Sequence, residues 1–104
     1  MFFPFAFRPF AFPAKGSTRR LMPARHISWT QHGTRTVVVD ARSGRYYGFD
    51  EVGTRIWGFA QHGLSTDEIA QKLSEEYDAP LDVLTKDVVG FISHLRRSKW
   101  LEEA

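Results

Sequence analysis

The chain has 104 residues, 42% of them hydrophobic and 25% charged, which suits one small domain with one modest core. It contains no cysteine, and this excludes a disulfide scaffold, a thiol nucleophile and thiolate metal sites. No apolar run reaches the roughly 20 residues that a membrane-spanning helix needs, and we expect a cytoplasmic protein.

The first 25 residues differ in composition from the rest of the chain. They hold four of the five prolines, six of the nine phenylalanines and five basic residues without an acidic one. Proline at this density blocks a helix and a central strand. We therefore predict a disordered, basic Phe/Pro-rich tail over residues 1–25 and one folded domain over residues 26–104. The domain carries a net charge of −3, so the basic pI of the chain belongs to the tail.

Two alternatives for the tail stay open. Translation that starts at Met22 would lead directly into the first predicted strand. In the other alternative, the Phe-rich segment docks on an apolar groove, because exposed apolar patches usually mark contacts. The prolines, and Arg8 within the apolar run, argue against a secretory signal peptide.

The pattern from His26 to Phe49 predicts three short antiparallel strands. Residues 27–30 alternate in polarity, residues 36–40 are β-branched, and residues 45–49 are rich in tyrosine and phenylalanine. Residues 31–34 and 42–44 supply turns. Short turns favour a meander with the second strand in the middle and the third strand at an edge.

After residue 50 the apolar period changes from two to 3.6. Asp50 is a favourable N-cap for a first helix that runs to about residue 62 and that Gly63 terminates. Ser65 and Glu68 form a capping box that opens a second helix. Pro80 ends this second helix.

A third helix is predicted from about residue 82 to residue 98. Trp100 and Leu101 are expected to fold back on the core. The side chains predicted to face the core are Val52, Ile56, Phe59 and Ala60 in the first helix, Ile69, Leu73 and Tyr77 in the second, and Leu84, Val88, Phe91 and Leu95 in the third. Three strands followed by three helices predict an α+β domain of winged helix-turn-helix type, with helices covering one face of the sheet.

The residue types for catalysis do not occur in a usable pattern. His26, His32, His62 and His94 lack the spacing of metal ligands, and no glycine-rich phosphate loop is present. We therefore predict a protein that is not an enzyme and that needs no cofactor or metal.

The third strand has chemistry that suits a binding site. Its aromatic residues stand at a sheet edge without the charge or proline that usually protects one. An extended peptide can add to such an edge as a further strand. The alternative is that the third helix or the tail covers it. The predicted peptide-binding residues are Arg45, Tyr46, Tyr47, Gly48 and Phe49 in the third strand, and Val83, Asp87, Gly90, Phe91 and His94 in the third helix.

Gly90 and Asp87 each have two interpretations. Glycine inside a helix costs roughly 1 kcal/mol against alanine, so Gly90 opens a notch for another backbone or packs tightly against the sheet. Asp87 accepts a hydrogen bond from a peptide or pairs with a basic group on it; alternatively, it holds a strand or loop of its own domain.

An ordered set of residues resembles a known family. The set is Val39, Asp40, Tyr46, Tyr47, Phe49, Gly53, Ile56 and Trp57, followed by Gly63, Ser65, Glu68, Ile69, Leu73, Tyr77, Asp87, Val88, Phe91, Ile92 and Leu95. It resembles the PqqD-like family, the recognition elements for precursors of ribosomally synthesised and post-translationally modified peptides. The Ile56-Trp57 pair and the chain length look most like the stand-alone leader-binding proteins of lasso-peptide biosynthesis. The resemblance covers residues 37–101.

The resemblance implies a winged-helix fold that binds the leader of a precursor peptide as a strand beside the third strand, against the third helix. It implies presentation of the precursor to a transglutaminase-like leader peptidase and an asparagine-synthetase-like cyclase, without nucleic acid or membrane. Two features depart from the family: Lys99 replaces a usual glycine, and the Phe/Pro-rich tail has no counterpart.

Two other functions stay open. A DNA-binding winged helix would insert the third helix into a major groove, although Asp87 would repel phosphate there. A PqqD-type chaperone would present its peptide to a radical enzyme of quinone-cofactor synthesis.

Overall fold

Strands open the fold and helices follow, within residues 20–103, the part of the chain that the computed structural model describes. The elements are β1 (Leu21–Pro23), β2 (Ile27–His32), β3 (Arg35–Asp40), β4 (Arg45–Phe49), α1 (Glu51–Gln61), α2 (Thr66–Tyr77), α3 (Leu81–Arg97) and β5 (Leu101–Glu103). The predicted α+β class, an antiparallel sheet followed by three helices, is confirmed. The prediction of disorder for residues 1–19 lies outside the described residues.

The main sheet has the order β2-β3-β4, with both pairs antiparallel. The first hairpin turn is tighter than predicted, because Gln31 already belongs to β2 and only Gly33 and Thr34 remain between the strands. Gly33 has a φ of 64°, which glycine adopts without steric cost. β4 has the predicted bounds and forms one edge of the sheet.

A second, two-stranded sheet joins the beginning and the end of the described chain. β1 pairs antiparallel with β5, with Leu21 opposite Glu103. Leu21 and Ala24 are buried, and the N–H of Ala24 donates to the carbonyl of Trp100 at 2.9 Å. The predicted boundary at residues 25 and 26 is therefore wrong, because residues 21–24 belong to the folded domain. Met22 lies inside β1, so it stands within the fold.

The helix ends follow the predicted caps. The carboxylate of Asp50 accepts a hydrogen bond from the N–H of Gly53 at 2.8 Å. The capping box is complete, since Ser65 and Glu68 each accept a bond from the other's backbone N–H. Gly63 ends α1 with a φ of 84°. These local bonds explain why both helices begin where the sequence indicates.

The core lies between the sheet and the three helices. Val38, Trp57, Leu73 and Val88 are fully buried within it. Trp100 and Leu101 are also buried, which confirms that the chain folds back after α3.

Three predicted core positions need correction. Val52, Tyr77 and Phe91 are only partly buried, and Ile92 takes the core position on α3. Phe91 instead faces the end of β4, where its ring lies 5.2 Å from the ring of Phe49. Two adjacent apolar residues compete for one face of a helix, and the position of α3 beside the sheet decides between them.

One buried polar contact joins the sheet to α1. The hydroxyl of Thr36 on β3 donates to the hydroxyl of Thr54 at 2.9 Å, and both residues are 1% exposed. A buried hydroxyl without a partner would cost about 1 to 3 kcal/mol. The pair therefore fixes the rotation of α1 over the sheet.

The contribution of β1 can be measured with Leu21→Ala. Removal of a buried leucine side chain should lower the free energy of unfolding by about 2 to 3 kcal/mol. Urea denaturation followed by circular dichroism measures this, with Met22→Ala as the control at the neighbouring, exposed position. Equal stability of the two variants would show that β1 does not contribute to the fold.

A hydrogen bond between α1 and α2 responds to alkaline pH. The Tyr77 hydroxyl donates to a carboxylate oxygen of Glu51 at 2.7 Å. Burial, then the bond to Glu51, raises the pKa of Tyr77 to about 12 from 10.0. Because the folded state holds the proton more tightly than the unfolded state, this stabilisation is present below pH 10 and is lost between pH 10 and 12.

Tyr77→Phe should therefore lower the free energy of unfolding by about 0.5 to 1 kcal/mol at pH 7, a modest loss because the bond is solvent-exposed. The variant should also lose less stability than the unmodified chain between pH 10 and 12. Thermal denaturation across this range checks both effects, with Tyr46→Phe as the exposed control. Parallel pH profiles for all three chains would contradict the assignment.

Candidate functional site

The outer edge of β4 presents the backbone groups of two residues. The N–H of Ala41 donates to the carbonyl of His26 at 2.8 Å, in line with the β2–β3 register. Backbone groups alternate sides along a strand, so the even-numbered residues of β3 bond to β4. Their partners on β4 are residues 45, 47 and 49. Tyr46 and Gly48 therefore direct their N–H and C=O groups away from the sheet.

That edge has no strand partner within residues 20–103. Tyr46 is 74% exposed and Tyr47 is 40% exposed, and a Cβ atom on Gly48 would meet nothing within 4 Å. The predicted free edge is thus present in the described fold: neither α3 nor β5 covers it.

A groove of about 590 Å³ lies beside the end of β4, between this strand, the start of α1 and α3. The residues that line it are Arg35, Gly48, Phe49, Asp50, Val52, Gly53, Ile56, Leu84, Asp87 and Phe91. Five of these are aromatic or aliphatic side chains of the core margin, and three are charged. The groove therefore offers an apolar wall with a charged rim, next to unpaired backbone groups.

Aromatic packing forms the wall of the groove. The ring of Phe49 lies 5.2 Å from that of Phe91 and 5.4 Å from that of Trp57. Further along β4, the ring of Tyr47 lies 4.6 Å from that of Trp100. Tyr47 and Phe49 point to the same face of the sheet because they are two residues apart. One face of β4 is therefore anchored, while its edge remains free.

Gly53 allows α1 to begin close to this wall. A Cβ atom there would lie 3.2 Å from Cβ of Phe49 and 3.4 Å from the tip of the Phe91 ring. Contacts of 3.2 Å are tighter than most real Cβ contacts and would push the two rings apart. The glycine therefore sets the shape of the groove.

Two charged residues of opposite sign stand at the groove. Arg35 and Asp87 are both exposed, and neither forms an ion pair or side-chain hydrogen bond within residues 20–103. Asp50 differs from Asp87, because its carboxylate is engaged by the N–H of Gly53. Within the described part of the chain, Asp87 therefore does not hold a strand or loop of its own domain by an ion pair or a side-chain hydrogen bond, and this interpretation is wrong there.

The structure brings four of the predicted site residues to the groove: Gly48, Phe49, Asp87 and Phe91. Arg45, Tyr46 and Tyr47 continue along β4 beyond it. Val83, Gly90 and His94 are exposed on α3 and do not line this cavity. Their role in binding stays a prediction.

The interpretation of Gly90 as a tight packing contact is wrong, whereas the notch stays a prediction. A Cβ atom on Gly90 would meet nothing within 4 Å, so tight packing against the sheet does not explain this glycine. Gly90 lies next to Phe91 and one turn after Asp87, and it extends the α3 wall towards its C-terminal end.

Sequence reasoning missed several groove residues. Asp50 is a predicted cap, and Ile56 and Leu84 are predicted core residues. Arg35 and Gly53 have no predicted place at the site. Gly53 carried a usable signal, since glycine in the first turn of an apolar helix often marks a close approach. Arg35 carried none, because its place at the groove depends on how the sheet meets α3.

Within residues 20–103 no three His, Asp or Glu side chains come together as a metal site. None of the helices in this range has the length and apolarity that a membrane crossing requires.

Comparison with known proteins gives one family and two solved structures. The model of the family described as coenzyme PQQ synthesis protein D (PqqD) matches residues 35–101. The solved structure "TbiB1 in Complex with the TbiA(beta) Leader Peptide" is 25% identical, with a TM-score of 0.69 over 77% of this chain and 93% of that chain. No curated protein matches the sequence.

The second structure is "Lasso peptide synthetase B1 complexed with the leader peptide". It is 23% identical, with a TM-score of 0.72 over 80% of this chain and 98% of that chain. At this identity the likeness bears on the fold, and it confirms the α+β architecture of strands followed by three helices.

Proposed function

The chain belongs to the PqqD family, and from this membership we propose that it binds the leader segment of a ribosomally made precursor peptide by strand addition to β4. The observation that carries the proposal is the free edge at Tyr46 and Gly48 beside an apolar groove. The similarity to solved complexes with leader peptides supports the same conclusion.

The backbone geometry sets how a peptide would be held. Peptide residues opposite Tyr46 and Gly48 would each exchange an N–H and a C=O bond with β4. Peptide residues between them and beyond would turn their side chains to the face on which Tyr47 and Phe49 lie. Backbone bonds would thus give affinity for any extended chain, and the groove would select the side chains.

The groove favours a peptide with apolar residues at alternate positions. The partly buried side chains of Val52 and Phe91 provide most of the apolar surface, beside the buried ring of Phe49. Gly48 and Gly90 leave space on the two sides where side chains would otherwise crowd a docked strand. Arg35 and Asp87 would each favour an opposite charge on the peptide, and so would help to fix its register.

The finer part of the proposal concerns the partners. We infer that the bound precursor is presented to a separate transglutaminase-like leader peptidase, and to an asparagine-synthetase-like cyclase, in the cytoplasm. Support comes from the likeness to a lasso peptide synthetase B1 protein. In this role the chain binds and presents its peptide but does not change it chemically.

A second candidate differs only in the client peptide. The matching family model is described by coenzyme PQQ synthesis, which favours a chaperone that presents a peptide to a radical enzyme. The same edge and groove would serve both roles. The DNA-binding alternative has less support, because Asp82 and Asp87 lie exposed on α3 and would repel phosphate.

Direct titration tests the proposal. The fluorescein-labelled leader of any precursor peptide encoded near this gene is the probe, and it should bind with a dissociation constant of about 1 μM or lower, without metal or nucleotide. Fluorescence polarisation measures it, with a scrambled leader as the control. Absence of binding, together with salt-sensitive binding to duplex DNA, would favour the DNA-binding alternative.

The α3 side of the groove can be tested with Gly90→Leu. The added side chain meets open space, and replacement of a helical glycine should stabilise α3 by up to about 1 kcal/mol. It should nevertheless weaken leader binding by at least tenfold, about 1.4 kcal/mol, because it would fill the space of the docked strand.

Val89→Leu is the matched control for this variant. Val89 is exposed on the same helix, one residue away, and points about 100° to the side. It should bind the leader as the unmodified chain does. If Gly90→Leu is folded by circular dichroism and binds as tightly as Val89→Leu, the leader does not use this wall.

A further inference from the structure

The sequence of residues 1–19, which lie outside the described residues, suits the groove in length and chemistry. We propose that the run from Phe3 to Phe7 docks on the free edge of β4 as an internal occupant of the groove. The docking itself follows from the groove and the sequence. Competition between this run and a leader peptide, in addition, rests on the proposed function.

The point where the described chain begins places this segment within reach. The guanidinium of Arg20 donates to the carbonyl of Gln61, at the C-terminal end of α1, at 3.1 Å. The first residues of α1, Val52 and Gly53, line the groove at the opposite end of the helix. The 11-residue α1 is about 16 Å long. The twelve residues between Phe7 and Arg20 can span up to about 40 Å, so the tether is long enough.

The spacing of the phenylalanines matches the alternation of a docked strand. Phe3, Phe5 and Phe7 would lie on one face of an extended chain. If this face turns to the groove, Pro4 and Ala6 present their backbone groups to Tyr46 and Gly48. Ala6 then offers an N–H and a C=O, and Pro4 offers a C=O. An edge strand tolerates one missing donor in this way.

The groove supplies a complementary surface for this run. The partly buried ring of Phe91, which lies against the buried ring of Phe49, offers an aromatic surface to the phenylalanines, and aromatic rings pack favourably edge to face. The carboxylate of Asp87, which forms no ion pair within residues 20–103, stands at the same groove, and Arg8 follows the run directly. A tethered segment acts at a local concentration of about 1 mM. The segment would therefore occupy the groove even if its affinity for the groove were weak.

Amide exchange in the full-length chain tests the docking. The N–H groups of Tyr46 and Gly48 face the free edge, whereas those of Tyr47 and Phe49 bond to β3. In the ¹⁵N-labelled protein, docking should slow exchange at Tyr46 and Gly48 by about tenfold or more against unpaired amides. The triple variant F3S/F5S/F7S should lose this protection and leave Tyr47 and Phe49 unchanged.

Two single substitutions distinguish docking by strand pairing from non-specific hydrophobic association. Ala6→Pro removes the ladder N–H and should abolish the protection, although every phenylalanine remains. Pro4→Ala adds a ladder N–H and should increase it. Fast exchange at Tyr46 and Gly48 in the unmodified chain would overturn the proposal. Protection that survives the triple variant and grows with protein concentration would also overturn it, because a second copy would then hold the edge.

The same variants separate this inference from the proposed function. With the labelled leader as probe, the triple variant should bind about tenfold more tightly than the unmodified chain, since the internal competitor is lost. If the triple variant and the unmodified chain both fail to bind the leader while Tyr46 and Gly48 respond as expected, the docking stands and the proposed function fails. Equal leader binding by both chains would overturn the competition.

Discussion

The packing of Phe49 is the contact on which both the core and the groove depend. Its ring meets Trp57 of α1, Phe91 of α3 and Trp100 before β5, with centroids 5.4, 5.2 and 6.4 Å away. The residue ends β4 and directly precedes the cap of α1 at Asp50. Its backbone therefore belongs to the sheet while its side chain fixes α1, α3 and the C-terminal segment. A shift of this ring would change the groove wall and the core together.

This arrangement explains how a small domain keeps an unprotected strand edge. Side chains on one face of β4 are held by aromatic packing, and the Thr36–Thr54 bond fixes α1 above the neighbouring strand. The strand is thus held in place, while its outer backbone groups have no strand partner within residues 20–103. Such an edge would favour aggregation if it were long and flat. Here it has five residues, and the groove wall of α3 limits what can approach it.

The sequence predicts the parts of this fold that depend on local chemistry. β4 has its predicted bounds because a positive-φ glycine precedes it and a capping aspartate follows it, at Gly44 and Asp50. β1 and β5 could not be predicted in this way, since three residues carry no usable period and their pairing joins distant parts of the chain. The groove can be predicted from the sequence only in part, for the same reason. Its β4 half follows from the strand pattern, whereas Arg35 reaches it only through the relative positions of the sheet and α3.

The pairing of β1 with β5 has a consequence for how such a domain can be combined with others. Leu21 and Glu103 lie opposite each other in an antiparallel ladder, where Cα atoms are about 4.5 to 5.5 Å apart. A surface loop of a larger protein could therefore accept residues 21–103 as an insertion with almost no separation of its two ends. The unit would bring its free β4 edge with it, because β4 belongs to the other sheet. A single gene could in this way gain the proposed peptide-binding edge as an inserted domain, without a new interface between subunits.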